Sequence, residues 1–109
     1  MQLLEIELTR RSSAPVLQVK GEIDIATADQ LRDALLEVLS AEPTVAVDMS
    51  GVVFIDASGL RVLLEAAASL NGSGPLTLID APLVARLLTL IGLEGTPSIE
   101  LRDGGGAHG

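Results

Sequence analysis

The chain has 109 residues, a length typical of one domain, and its formal net charge of −8 disfavours contact with nucleic-acid phosphates or an anionic membrane surface. It contains no cysteine, which excludes disulfides and thiolate sites. Its single aromatic residue, Phe54, excludes a platform on which nucleic-acid bases could stack.

The first half of the chain has the pattern of two strands followed by a helix. Residues 4–8 alternate apolar and polar, as in a strand with one wet face, and a short polar link separates them from a second strand at 16–20. Thr27, with Gln30 three residues later, predicts a capping box at the start of the first helix. Pro43 prevents that helix from continuing.

The second half alternates between strand and helix. The pattern predicts strands at 44–48, 76–79 and 98–101. Between them it predicts helices at 58–70 and 82–91. The strands at 44–48 and 76–79 are nearly all apolar, so we expect both of their faces to be covered. Asn71 and Gly72 are expected to end the second helix, and Gly92 the third.

This order predicts an α/β fold in a single domain, with a mixed sheet of about five strands, three main helices and right-handed crossovers. We expect the domain to span residues 1–102 and the glycine-rich residues 103–109 to form a disordered tail. No apolar span reaches 18 residues and no signal-peptide pattern opens the chain, so a cytoplasmic location is expected.

Ser58 lies at a strand-to-helix turn, where a hydrolase nucleophile could also sit. A nucleophile elbow needs glycine two residues before and two after the serine, but Asp56 and Leu60 occupy these positions. The only histidine, His108, lies in the glycine-rich tail, where it cannot be held as a general base. The sequence therefore argues against a serine hydrolase.

Four aspartates, Asp24, Asp48, Asp56 and Asp80, fall near the ends of strand-like segments. Such ends meet at one edge of an α/β sheet, so a weak Mg²⁺ site or a small-ligand site is conceivable. Aspartates that form turns explain the pattern better, and no metal or other cofactor is expected. Asp48 lacks the acidic pair and the late-strand lysine that aspartyl-phosphate chemistry needs.

Ser58 itself has two interpretations. As an N-cap it would accept a hydrogen bond from a backbone N–H at the start of the second helix, a role that Asp56 could share or take. As a phosphoacceptor it would place a dianion where the helix dipole and free N–H groups tolerate it. The residues alone favour the cap.

The segment FIDASGL at 54–60 resembles the phosphorylation-site signature of STAS domains of the anti-sigma-factor antagonist type. Residues 19–28 are similar to the family's strand that leads into a capped helix. Residues 45–52 resemble its next strand and turn, and residues 90–93 its late helix end. These segments occur in the family's order, and the resemblance covers about residues 3–101.

The resemblance implies a binding protein that is not an enzyme and that works by partner switching. Its unphosphorylated form would bind an anti-sigma factor that is also a serine kinase of the histidine-kinase-like ATPase fold. Phosphorylation of Ser58 would end binding, and a metal-dependent serine phosphatase would restore it. The residues expected at the partner surface are Asp24, Asp56, Ala57, Ser58, Gly59 and Arg61.

Within that surface, the resemblance gives two residues a role, and two others depart from the family's pattern. Asp24 matches an acid near the phosphoacceptor, and Gly59 matches a glycine that lets the partner approach the backbone. Arg61 stands where a small glycine is frequent, so it could pair with Asp56 or a phosphate, or mark a different partner. Ala57 replaces a first serine that many members carry.

An alternative function within the same family remains open. The chain could be a STAS subunit or scaffold of a lipid-transport or stress-sensing complex with no phospho-switch. Ser58 would then serve only as a helix cap.

Overall fold

Five strands form one mixed sheet in the order in which they occur in the chain. The computed structural model describes residues 4–70 and 72–104. The strands are β1 (Glu5–Arg11), β2 (Ala14–Ile23), β3 (Ala46–Ile55), β4 (Leu76–Ile79) and β5 (Ile99–Arg102). The helices are α1 (Ala28–Ala41), α2 (Ala57–Ser69) and α3 (Pro82–Leu90). The predicted α/β fold, with a five-stranded mixed sheet and three helices, is confirmed.

A tight hairpin joins the first two strands, which are antiparallel and pair Leu8 with Leu17. Its turn residues, Ser12 and Ser13, have φ of 52° and 70°. Positive φ at both central residues is the geometry of a two-residue turn whose twist matches the flanking strands. The hairpin loop is therefore shorter than the polar link expected between residues 10 and 14.

All three helices lie on one face of the sheet. The strands from β2 to β5 are parallel neighbours, and each crossover advances one position in the same direction. Right-handed crossovers then place α1, α2 and α3 on the same side. The core fills the space between this helical layer and the sheet, and its fully buried side chains include Leu17, Leu31, Val47, Leu63 and Leu78.

The other face of the sheet carries no helix, so the expectation that two strands are covered on both faces was wrong. Ala46 of β3, and Thr77 and Ile79 of β4, are partly exposed on that face. Asp48 lies there in the middle of β3, only 8% exposed, beside the Arg11 guanidinium of β1. Asp48 therefore does not end a strand.

Strand β3 is about twice as long as predicted and extends well past β4. It pairs with β4 only at Ala46–Asp48, whereas it follows β2 as far as Ile55. Two register irregularities along β2 and β3 add residues to β3 and increase its local twist. Beyond the Lys20–Gly51 pair, where the pairing with β1 also ends, the strands β2 and β3 therefore form a two-stranded ribbon, and its far end leads into α2.

Helix α1 begins at the expected place but without the predicted capping box. The Thr27 side chain makes no cap hydrogen bond to the helix. Its hydroxyl instead donates to the Glu22 carbonyl and accepts from the Asp24 N–H. The Gln30 side chain donates to the Leu4 carbonyl and so ties α1 to the start of the sheet.

The helix ends follow the glycine pattern of the sequence. Gly92 has φ of 81°. Its N–H donates to the Thr89 carbonyl, and the Leu93 N–H donates to the Leu88 carbonyl. These two hydrogen bonds form a Schellman motif. Gly72 has φ of 89°, while Asn71 lies outside the described residues.

The two chain ends are described only in part. Residues 1–3 of the expected domain, and residues 105–109 of the expected tail, lie outside the described residues. Within the tail, the Gly104 N–H donates to Asp80 Oδ1 at 2.6 Å. Asp80 directly follows β4, so the described start of the tail contacts the sheet.

Candidate functional site

The candidate site lies where β3 ends and α2 begins. Asp56, in an extended conformation, is the N-cap of α2. Its Oδ1 accepts from the Ser58 N–H at 2.9 Å and from the Gly59 N–H at 3.3 Å. Asp56, and not Ser58, therefore caps the helix, as a carboxylate at this position is well suited to do.

Ser58 sits in the first turn of α2, where it is half-buried. Its hydroxyl donates to the same Oδ1 of Asp56, at 2.5 Å. This hydrogen bond is the largest cause that lowers the pKa of Asp56, and the backbone N–H groups of Gly59 and Ser58 act in the same direction. Asp56 therefore stays ionised, and it holds the hydroxyl in one orientation at the surface.

Gly59 faces the protein interior. A Cβ built on it would lie 2.5 Å from Ile23 Cγ2 and 2.8 Å from Ile55 Cγ1. The missing side chain thus lets α2 pack tightly against the ends of β2 and β3. This contact explains the glycine without a partner, whereas the resemblance assigned Gly59 to the approach of a partner.

Asp24 forms a second turn beside the first. Its Oδ1 accepts from the Ala26 and Thr27 N–H groups at 2.9 and 3.2 Å. The Asp56 N–H donates to the Ile23 carbonyl at 3.1 Å, which places the end of β2 against the start of α2. The structure therefore brings the segments of Asp24, Asp56 and Ser58 to one end of the molecule, as predicted.

Exposed apolar residues surround this end of the molecule, and we call Ile25, Val53, Phe54 and Ala57 the apolar rim. Ile25 is 84% exposed, Val53 63% and Phe54 47%, and Ala57 is also exposed. Phe54 pairs with Glu22 in the sheet, one position before the Ile23–Ile55 pair.

Sequence reasoning missed the apolar rim as a surface, apart from Ala57. An apolar run such as 52–55 is typical of a buried strand. Here, however, part of the run extends past the end of β4 and lies on the face of the sheet without helices. The signal available in the sequence was Phe54, the only aromatic residue, four positions before the candidate serine.

Arg61 is exposed on α2, one turn after the cap. Within the described part of the chain, no ion pair links it to Asp56 or to another carboxylate. Of the alternatives open for Arg61, a pair with Asp56 is therefore not formed in this structure.

The four aspartates do not converge on one site. Asp48 lies on the face without helices, while Asp24 and Asp56 each accept backbone N–H groups of their own turn. Among residues 4–70 and 72–104, no group of three His, Cys, Asp or Glu side chains is placed to hold a metal ion. In the same residues, no helix has both the length and the apolar character to cross a bilayer.

The chain is thus an α/β domain with a mixed sheet, one helical layer and an acid-capped turn that presents a serine. The family model described as "Mlab, STAS domain" matches residues 6–103. The chain therefore belongs to the STAS domain family, and the resemblance drawn from its motifs is confirmed.

The relatives include named regulators of sigma factors. The anti-sigma-F factor antagonist RsfB of Mycobacterium tuberculosis is 30% identical over 95 residues, which cover 85% of this chain and 78% of RsfB. The crystal structure of an anti-sigma factor antagonist from Mycobacterium paratuberculosis has a TM-score of 0.76 at 26% identity. That match covers 90% of this chain and 86% of the other.

A more distant likeness concerns the fold alone. The Bacillus cell fate determinant SpoIIAA in its phosphorylated form has a TM-score of 0.64 at 21% identity. The match covers 91% of this chain and 90% of SpoIIAA. The same arrangement of sheet and helices therefore extends over nearly the whole of both chains.

Proposed function

We propose that this protein is an anti-sigma-factor antagonist, a cytoplasmic binding protein and not an enzyme. Unphosphorylated, it binds an anti-sigma factor that is also a serine kinase of the histidine-kinase-like ATPase fold. Phosphorylation of Ser58 releases the partner, and a serine phosphatase reverses the change. The observation that carries this proposal is the Ser58 hydroxyl, oriented by Asp56 in the first turn of α2.

The surroundings of Ser58 support docking of a protein. The apolar rim offers exposed side chains that a partner can desolvate, and an exposed apolar patch of this kind is typical of interaction sites. Arg61 lies on the same end of the molecule and gives it a positive charge in an otherwise acidic protein. A partner that covers this surface brings its own groups close to the serine.

The charge of a phosphate explains how the switch would act. A phosphoserine adds about −1.5 to −2 charges at neutral pH, beside the carboxylate of Asp56 and at the same end of the molecule as Asp24. The Ser58 and Gly59 N–H groups already donate to Asp56, so the phosphate must project outward or displace that carboxylate. In both cases a docked partner meets a new dianion, while the core of the domain is unchanged.

Binding of two Ser58 variants tests the switch. We expect Ser58→Ala to bind a purified anti-sigma-factor kinase as the wild type does, and Ser58→Asp to bind it about tenfold more weakly or worse, because a charge buried in an interface without a counter-charge loses its hydration. Ser73→Asp is the control, since it adds the same charge at an exposed position after α2. Equal binding by Ser58→Asp and Ser73→Asp would contradict the charge mechanism.

Modification by the kinase tests the acceptor directly. Incubation with the same kinase and ATP, followed by mass spectrometry, should locate one phosphate on Ser58 and none in Ser58→Ala. A phosphate on another serine, or none at all, would overturn this part of the proposal. Tight co-purification with a transporter or stress-sensing assembly, unchanged by Ser58→Asp, would favour the scaffold function instead.

A further inference from the structure

The helical layer stops one strand short of the edge of the sheet. Each helix belongs to a crossover between two of the strands β2 to β5, so β1 has no helix of its own. Ile6 and Leu8 of β1 pair with Val19 and Leu17, and therefore point to the same face as the helices. Leu8 is 50% exposed there, which leaves an open position beside α1.

This open position is a groove of about 570 Å³ between β1 and α1. Its apolar lining comes from Ile6, Leu8, Leu17, Ala34 and Val38. On α1 the lining residues run from Gln30 to Ala41 along one side, which corresponds to about 16 Å of helix. The groove can therefore accept about three turns of a second helix laid beside α1.

The walls of the groove are acidic. Three acidic residues line the groove on the side of α1, namely Asp33, Glu37 and Glu42. The lining contains one basic residue, Arg10. Arg10 Nη2 lies 2.6 Å from Glu42 Oε2, so that pair is neutralised. Asp33 and Glu37 are exposed, and neither takes part in an ion pair among the described residues.

We propose that this groove binds a basic amphipathic helix of a partner protein. The apolar side of that helix would cover Leu8 and Ala34, and its lysines or arginines would face Asp33 and Glu37. A helix fits better than an added strand, because the open position continues a layer of helices over an apolar sheet face. The charge of the walls selects against acidic helices.

The middle of the groove lies away from the candidate switch, and only its Gln30 end, in the first turn of α1, lies near the Asp24 turn. Leu8 lies opposite Leu17 near the start of β2, whereas Ser58 follows the far end of the ribbon beside Ile23. Ile23 lies six positions after Leu17 along the strand, a distance of about 20 Å. The groove can therefore be occupied whether or not Ser58 carries a phosphate.

A labelled peptide tests the proposal on the full chain. The probe is a fluorescein-labelled helical 14-residue peptide of leucine and lysine, followed by anisotropy and by ¹H–¹⁵N NMR. We expect binding that shifts the amide signals of Leu8, Ala34 and Val38. The double substitution Asp33→Lys with Glu37→Lys should weaken binding about tenfold, because it reverses the charge of the wall.

Matched controls separate a site from general electrostatics. Glu94→Lys with Asp103→Lys changes the net charge equally at exposed positions on the other side of the molecule, and should leave binding unchanged. A peptide of leucine and glutamate should not bind. Ser58→Asp should bind the basic peptide as the wild type does, so the outcome is independent of the proposed phospho-switch.

Four results would overturn the proposal. Equal weakening by both double variants would show attraction to overall charge alone. Amide shifts centred on Ile25 and Phe54 would place the peptide on the apolar rim. Binding in an extended conformation, or self-association of the chain that the substitutions at Asp33 and Glu37 abolish, would assign the groove to a different occupant.

Discussion

A single oxygen, Oδ1 of Asp56, accepts three hydrogen bonds at the start of α2. The donors are the N–H groups of Ser58 and Gly59 and the Ser58 hydroxyl. From the sequence we expected the N–H groups of the helix to be available to a phosphate, but the cap already uses them. Phosphorylation of Ser58 would replace one hydrogen-bond donor to Asp56 by a dianion. The hydrogen bonding and the electrostatic surroundings of the Asp56 carboxylate would therefore both change.

The pKa of Asp56 should therefore respond to Ser58. The hydroxyl is the largest cause of its lowering, so Ser58→Ala should move the pKa upward, towards the ordinary value. A group whose pKa is lowered by folding stabilises the fold above its unfolded pKa, and this contribution disappears as the pH falls through the folded pKa. The Asp56 carboxyl carbon, followed by NMR from pH 7 downward, measures the shift.

Ser69→Ala provides the control for this titration. Ser69 lies at the other end of α2, and its hydroxyl donates to the Ala66 carbonyl. Its removal should leave the Asp56 titration unchanged. An Asp56 pKa that is the same in wild type and Ser58→Ala would show that the hydroxyl does not bond to this carboxylate in solution.

At the scale of the elements, α2 depends on a close approach to the sheet. Gly59→Ala would place a methyl group against Ile23 and Ile55, where the Cβ has no room. We expect this substitution to lower the free energy of unfolding by about 1–3 kcal/mol, as overpacking does. Urea denaturation measures the loss, with Ser58→Ala, one residue earlier in the same turn, as the comparison.

A partner that needs the glycine for its own approach would give a different result. Gly59→Ala would then keep the stability of the wild type and lose binding alone. A domain that remains stable while binding is lost would contradict the inward role assigned here to Gly59.

Several elements were predictable because local patterns decide them. The Schellman motif at Gly92 and the helices α1, α2 and α3 follow from glycine placement and apolar periodicity. The length of β3 was not predictable, because residues 49–55 form a strand only by pairing with distant β2. The capping box at Thr27 failed for a similar reason, since Gln30 bonds to Leu4 instead.

At the scale of the whole molecule, the Arg11–Asp48 pair connects β1 to β3 across β2 on the face without helices. Burial acts to raise the pKa of Asp48, but hydrogen bonds from Ser50 and Arg11 outweigh it, and the pKa is lowered overall. The ionised pair therefore stabilises the fold at neutral pH, and this contribution is lost as the pH falls through the folded pKa of Asp48.

Arg11→Met should destabilise the domain in a pH-dependent way. Because Arg11 is partly exposed, we expect a loss of about 1–2 kcal/mol at pH 7, less than for a fully buried pair. The difference from wild type should shrink as Asp48 becomes protonated. Urea denaturation at a series of pH values measures it, and Arg86→Met, which removes an exposed charge on α3, is the control. A loss that does not depend on pH would contradict the assignment.

The sequence could indicate the class of fold and the turn that forms the candidate site, but not which face of the sheet is bare. Asp48 looked like a residue of a turn, because a strand ending at residue 48 leaves it at the sheet edge. Only the assembled sheet shows that Arg11, thirty-seven residues earlier, reaches it. Long-range partners of this kind leave no local pattern in the chain.

The residues that hold α2 in place differ from those that face solvent around Ser58. Asp56 and Gly59 turn inward to the helix and the strands, whereas Phe54 and Ala57 lie at the surface. After a gene duplication, Phe54 and Ala57 can therefore be substituted without loss of folding. Two copies in one cell can acquire separate partners in this way, and their signalling routes become insulated from each other on an unchanged scaffold.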